Sequence, residues 1–296
     1  MKTGTVAQES VADRIGISTN LYLNEEDSVG LIRRLASEFR YVEVELEGEI
    51  RKQTKEVTDF SLAKEIKKIA EETGSVINIH APYIRVDYLF GDQRHEAREI
   101  LLRSVRFAVT AGSRTMTFHP GFRFPLSASS ETRAQALETI QELVYDMLHE
   151  TKHLGADLEF CLENSGAERP FLTLTHEEND VLFSTAPMAL TLDIAHAVSY
   201  TTTQTQAMDE LKRFAKYAKN VHLADVNFPK HRHLPLGEGD FDVLGAIEAI
   251  ESTGYRGPYI VEEIGGGYAG DQYFDAAVRY RDKLRAAQAA PAAALA

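Results

Sequence analysis

A short β-type run followed by an amphipathic helical stretch recurs about every 30 to 40 residues along the whole chain. The runs are Arg14–Ser18, Tyr41–Leu46, Val76–His80, Arg114–His119, Asp157–Glu163, Ala189–Asp193, Asn220–Ala224 and Tyr259–Glu263. Between them, stretches such as Val57–Glu72, Gln93–Thr110, Glu131–His153 and Phe241–Ser252 place apolar residues at spacings of three and four, which gives a helix one buried face. Gly74, Gly112, Gly155 and Gly254 each stand between a helical stretch and the next strand, where a left-handed residue ends a helix. Strands separated by helices cannot pair through tight hairpins, so the sheet is parallel and covered by helices. Eight such units predict a closed (β/α)8 TIM barrel of class α/β, in preference to an open doubly wound sheet. No Pro/Ser-rich linker divides the 296 residues. One domain over 1–296 is expected, with frayed ends at 1–12 and 287–296.

In a parallel barrel the C-terminal ends of all strands open on one rim, and enzymes of this fold build their chemistry there. Six of the ten histidines lie at a predicted strand end or in the loop just beyond it: His80, His119, His196, His222, His231 and His233. The other four, His95, His149, His153 and His176, fall in helical stretches. Glu163, Asp193 and Glu262 share the rim positions. Imidazoles and carboxylates crowded together compete for protons unless cations separate them, and neutral His with ionised Asp or Glu is the donor set of a divalent metal. Without cysteine among the donors, the set suits zinc, manganese, cobalt, iron or magnesium, at one to three ions per chain.

Several features limit the function. A formal charge of −13 argues against a nucleic-acid partner, since a phosphate backbone rewards Lys and Arg. The start MKTGTVAQESVADR has no apolar h-region, and no apolar run approaches the roughly 18 residues of a membrane span. With a single cysteine, Cys161, a cytoplasmic location is expected. Cys161 lies two residues before Glu163 on the same strand face, a place for barrel filling rather than a nucleophile. His149-Glu-Thr-Lys-His153 matches the zinc-protease pattern, but Leu137, Ile140, Val144, Met147 and Leu148 define the buried face of that helix and leave both histidines outside. Gly265–Gly270 matches G-x-G-x-x-G without the following strand and acidic residue of a dinucleotide fold. As a loop after the eighth strand it can still hold a phosphate through backbone N–H groups, which makes Gly266 a candidate substrate contact and Arg232 a second one.

His-Ala-Pro-Tyr at 80–83, His-Pro-Gly at 119–121, Glu-Asn-Ser-Gly at 163–166, Asp-Ile-Ala-His at 193–196, His-Leu-Ala-Asp at 222–225 and His-Arg-His-Leu-Pro-Leu-Gly-Glu-Gly at 231–239 occur in this order. Together they resemble the xylose-isomerase-like TIM barrels, which include sugar isomerases and epimerases and the endonuclease IV enzymes. The resemblance to the isomerase branch implies that Glu163, Asp193, His222 and Glu262 hold one divalent cation. It also implies that the two glutamates exchange protons with substrate carbon. His196 would orient or polarise a hydroxyl, and His80, His119, His231 and His233 would hold further metals or hydroxyls. The resemblance to endonuclease IV implies three zinc ions on nine ligands. Eight are matched by His80, His119, Glu163, Asp193, His196, His222, His233 and Glu262, while His231 stands where that family has Asp. Tyr83 and Ile84 match positions that this second branch inserts into DNA, and in an isomerase Tyr83 would line the substrate site. Alternation along the second strand sets Val42, Val44 and Leu46 against Glu43, Glu45 and Glu47. Glu45 or Glu47 can then bond sugar hydroxyls or join a salt-bridged barrel interior.

The expectation is a divalent-metal-dependent isomerase or epimerase of a small sugar, sugar phosphate or related hydroxy-ketone. A multi-zinc phosphoesterase is the alternative; a related dehydratase or lyase, or a non-catalytic metal- or sugar-binding barrel, stands behind both. A small-molecule substrate is the expected partner, and the resemblance allows a homo-oligomer.

Overall fold

The computed structural model describes residues 9–48, 60–84, 86–89, 91–121, 128–166, 172–230, 232–262 and 267–289. Eight parallel strands form a closed barrel in sequence order: β1 (Ile15–Ser18), β2 (Tyr41–Glu45), β3 (Val76–His80), β4 (Thr115–Phe118), β5 (Glu159–Glu163), β6 (Ala189–Asp193), β7 (Ala218–Leu223) and β8 (Tyr259–Val261). The ring shuts where β1 pairs with β8, with Ile15 opposite Tyr259 and Ile17 opposite Val261. The connecting helices are α1 (Ser28–Glu38), α2 (Phe60–Thr73), α3 (Arg94–Ala111), α4 (Ser130–His153), α5 (His176–Thr185), α6 (Ile194–Val198), α7 (Gln204–Ala215), α8 (Val243–Glu251) and α9 (Gly270–Ala289). The fold class expected from the period of the sequence is the one observed. Among the described residues no helix is long and apolar enough to cross a membrane.

The two faces of the strands carry different chemistry. Val42, Val44, Ile77, Ile79, Met116, Phe118, Phe160, Leu162, Leu190, Leu192 and Val221 are buried in the apolar layer that joins the sheet to its helices. Each large side chain taken out of water in that layer contributes about 1.5–3 kcal/mol. The alternate residues face the barrel axis and are mostly polar. Thr117 and Thr191 share a hydrogen bond of 2.8 Å across the interior, and Asn220 donates to Glu43 at 2.7 Å from the opposite side of the ring. A polar barrel interior is costly unless every group finds a partner, so this layer is also what orients the rim above it. Gly16 makes room for it: an added Cβ would lie 2.7 Å from Ile260 Cδ1 and 2.5 Å from the Tyr41 carbonyl oxygen.

The helix ends follow local chemistry. Gly74, Gly112, Gly155 and Gly254 all have φ between 65° and 93°, as expected of helix-terminating glycines. Thr175 and Glu178 form a reciprocal capping box at the start of α5. At the opposite end of the barrel from the rim, Arg14 is 2% exposed, donates to Glu251 at 2.7 Å and to the Gly257 carbonyl at 2.9 Å, and lies under the Tyr259 ring. His149 and His153 are exposed on α4, on the outer face that the apolar spacing assigns them. Of the expected ends, residues 1–8 and 290–296 lie outside the described residues, and α9 continues through Ala289.

Candidate metal centre

Glu163, the last residue of β5, stands at the middle of the rim with four imidazoles around it. Its Oε2 lies 3.1 Å from His80 Nε2 and 3.2 Å from His119 Nε2. Its Oε1 lies 3.2 Å from His196 Nδ1 and 3.6 Å from His222 Nδ1. Asp193 ends β6 and caps α6, with Oδ1 accepting from the His196 backbone N–H at 2.6 Å. That cap starts a short helix directly at the strand end and so turns His196 back toward the centre. Asn164 secures the same corner: it accepts from the Asp193 N–H at 2.7 Å and donates to the Asp193 carbonyl at 3.0 Å. Glu262, just beyond β8, is 5% exposed and accepts from Asn20 Nδ2.

Four sets of donor atoms come together within 4.8 Å: His80, His119 and Glu163; Asp193, His196 and His233; Glu45, His80 and Glu262; and Glu163, Asp193 and His222. All but one of these residues are essentially inaccessible, and His119 is only 9% exposed. The most telling geometry surrounds His222 Nδ1. This buried nitrogen makes no hydrogen bond, and it faces Glu163 at 3.6 Å, Glu262 at 3.8 Å and Asp193 at 3.9 Å. Those separations exceed a hydrogen bond and match the spacing of donors that share one cation at about 2 Å each. The residues present therefore fit a divalent metal held by Glu163, Asp193, His222 and Glu262. His80 Nε2 and His119, with Glu163, form a second possible grouping, and His233 with His196 and Asp193 a third.

In the metal-free chain, protons take the place of the cation. Burial alone would raise the Glu163 carboxyl, but His119, His222 and the hydrogen bond from His196 hold it well below the carboxylate range. Burial would lower His80 and His222, yet the carboxylates around them push both well above the usual imidazole value. Glu45 Oε2 lies 2.9 Å from His80 Nδ1, yet burial, with Glu47 and Glu43 adding to it, carries the Glu45 carboxyl up to about 7. These shifts set a pH dependence. A carboxyl whose folded pKa is raised from 4.5 to about 7 contributes less to stability as pH climbs through that interval. Raised histidines act in the same direction, stabilising below about 6.5 and losing that contribution as pH passes their folded values. The EDTA-treated chain should therefore unfold at lower urea concentration at pH 8 than at pH 5.5. In Glu45→Gln the decline should shrink by ~2 kcal/mol. Equal declines in the two chains would remove Glu45 as the source.

Tyr83 sits beside the centre, its ring 4.8 Å from that of His119 and 5.7 Å from that of His80. The loop carrying it is fixed by Glu47 Oε1, which accepts from the Tyr83 and Ile84 N–H groups at 2.8 Å each. Arg232 is exposed. His231 and Gly266 lie outside the described residues. Cys161 is fully buried in the barrel interior and burial raises its thiol well above the ordinary value, which suits filling and not nucleophilic attack. A cavity of about 840 Å³ adjoins the centre at Glu163 and Asn164. Its walls combine the loops at 172–175 and 200–202 with residues of α5 and α7, among them His176, Asp209 and Arg213, so it is a side chamber and not the space above the ligands.

The sequence reading did not single out Glu43, Asn20, Asn164 or Asn220 as part of this site. Glu43 belongs to the inward face that strand alternation identifies and Asn164 lies within the Glu-Asn-Ser-Gly motif, whereas Asn20 and Asn220 carry no pattern that marks them.

A family model described as a xylose isomerase-like TIM barrel matches residues 32–287. An L-ribulose-5-phosphate 3-epimerase of Escherichia coli O17:K52:H18 is 25% identical over 170 residues, a stretch covering 57% of this chain and 56% of that protein. The match thus spans little more than half the length of that relative. Among solved structures, a D-tagatose 3-epimerase-like protein superposes with a TM-score of 0.73 at 18% identity, covering 94% of this chain and 100% of the other. A D-psicose 3-epimerase superposes with a TM-score of 0.69 at 16% identity, covering 93% and 98%. At such identities the structural likeness establishes the fold.

Proposed function

Because the chain belongs to the xylose isomerase-like TIM barrel family, we propose that it is a divalent-metal-dependent epimerase or isomerase of a small keto-sugar or its phosphate. The observation that carries this reading is the bare His222 Nδ1 facing three buried carboxylates at 3.6–3.9 Å. The similarity to a ribulose-phosphate epimerase supports it. When bound, the cation polarises the sugar carbonyl and offsets the negative charge that develops on its oxygen. The chain's own residues then move the proton. Glu163 and Glu262 come from strands three places apart in the ring, so their carboxylates approach a sugar above the centre from different sides. One glutamate removes the hydrogen beside the carbonyl and the other returns a proton to the opposite face, which inverts that carbon. His196 is held by the Asn164 carbonyl, which accepts from Nδ1 at 2.8 Å, so its ring is fixed for a hydroxyl of the substrate. Tyr83 closes one side of the same space.

The test is incubation of the manganese-loaded chain with a panel of free and phosphorylated ketoses in deuterated water. Deuterium entering the carbon beside the carbonyl, with a new epimer appearing and both lost in EDTA, is the expected result. No incorporation from any member of the panel removes the reading. For a phosphorylated substrate, Gly266 and Arg232 are the candidate contacts with the phosphate. The 5-phosphate should then have a kcat/KM at least about tenfold above that of the free sugar, as one charge-assisted contact provides. Equal values would eliminate the phosphate contact.

The grouping of Asp193, His196 and His233 favours a second reading, a multi-zinc phosphoesterase. Two or three zinc ions per chain in plasma mass spectrometry, with cleavage of abasic-site DNA, would select it over the epimerase.

A further inference from the structure

Below the rim, the inward-facing carboxylates of β2 meet the imidazoles. Glu43 is fully buried, and both of its oxygens are occupied: Oε1 lies 2.8 Å from His222 Nε2, and Oε2 accepts from Asn220 Nδ2 at 2.7 Å. We infer that Glu43 is a positioning residue for the metal centre, accepting the Nε2 proton of His222 so that Nδ1 presents its lone pair to a cation shared with Glu163, Asp193 and Glu262. The inference rests on the metal-centre reading above but not on the identity of the substrate.

An imidazole carries one proton when neutral, and an ionised carboxylate only accepts. When His222 gives up its second proton to bind a cation, Nε2 therefore keeps the proton shared with Glu43, 2.8 Å away, and Nδ1 is the nitrogen left bare. Asn220 fixes the other carboxylate oxygen and is two residues before His222 on β7, so ligand and carboxylate are referenced to the same strand. A carboxylate behind a metal-bound imidazole fixes the ring tautomer and orientation and raises the basicity of the ligand nitrogen. Glu45 does not repeat the arrangement at His80. There Nδ1 is shared, 2.9 Å from both the Ala81 carbonyl oxygen and Glu45 Oε2, and neither Glu45 oxygen makes a hydrogen bond. The device belongs to His222, whose free nitrogen faces three carboxylates at once.

The experiment compares manganese binding to the wild-type, Glu43→Gln and Glu43→Asp chains by titration calorimetry, with the metal alone and no sugar. Glu43→Gln should weaken manganese binding by about 10- to 100-fold, and Glu43→Asp should recover part of it. Unchanged affinity in a folded Glu43→Gln chain overturns the role. A wild-type chain that takes up no divalent cation overturns it together with the metal-centre reading, whereas manganese binding without turnover of any sugar overturns only the proposed activity. Should the variants not fold, nitrogen-15 spectra of the histidine-labelled wild-type chain decide the matter. The His222 resonances, assigned by their loss in His222→Asn, should show Nε2 protonated and Nδ1 without a proton in the zinc-loaded chain, zinc standing in for paramagnetic manganese. A proton on Nδ1 would refute the assignment.

Discussion

In Glu163→Gln and Glu262→Gln, interconversion of substrate epimers should fall by at least ~10³-fold, because in the proposed mechanism each variant lacks one of the two groups that carry the proton. The loss is expected to be asymmetric in a second measurement. A chain with one base left can still wash out hydrogen from the epimer that presents its C–H bond to that base, while the opposite epimer retains its hydrogen. Each variant should therefore exchange with solvent from one epimer only, and the two variants should prefer opposite epimers. Both glutamates also face His222 Nδ1, at 3.6 and 3.8 Å, so lost metal would mimic lost chemistry. The comparison needs saturating manganese, with metal content measured on the assayed samples. Full exchange from both epimers in both variants would dismiss these two carboxylates as the bases. Loss from both epimers in a fully loaded variant would place both proton transfers on one glutamate.

The second large effect lies at the other end of the barrel and involves no chemistry. Arg14 is a charge almost sealed from water, and three groups depend on it: the Glu251 carboxylate, the Gly257 carbonyl and the face of the Tyr259 ring. Tyr259 also donates to Glu251 Oε1 at 2.8 Å, so the carboxylate has a second partner when the guanidinium is gone. Glu251 retains 21% exposure, which lets water supply part of the replacement. Arg14→Met should therefore cost roughly 3 kcal/mol, the lower part of the range for breaking a buried pair from one side. Urea unfolding would measure it as a lower midpoint at unchanged slope. In Arg14→Met/Glu251→Leu the penalty should shrink, because the stranded carboxylate is removed as well. A single variant within 0.5 kcal/mol of wild type, or a double variant that costs the sum of both singles, would mean the pair is not the source.

Much of this molecule can be read from its sequence, and the limit of that reading has a physical origin. The barrel is legible because helix and strand periods alternate eight times and because the four glycines ahead of β3, β4, β5 and β8 adopt the left-handed backbone their positions require. The rim is legible because parallel strands all end on one side, so His80, Glu163, Asp193, His222 and Glu262 must converge wherever the ring closes. Pairings across the ring are different. Alternation tells that Glu43, Glu45 and Glu47 share a face, but nothing local tells that Glu43 meets His222, 179 residues away, or that Glu47 serves the backbone of the Tyr83 loop. Such partners are fixed by the stagger of the strands around the barrel, a property of the closed object. Asn20 is a similar case: a residue just past β1 bonds Glu262 just past β8 only because those two strands are neighbours.

That last adjacency bears on how the protein is made. The seam joins residues 15–17 to residues 259–261, so every strand from β1 to β8 must leave the ribosome before the ring can shut. Glu262 arrives with that final strand, and Asn20, made with the first one, receives it. A nascent chain arrested before β8 can assemble Glu163, Asp193 and His222 but not the four-donor set. Tight cation retention would then signal that synthesis has reached the last strand and that the two ends of the sheet have found each other.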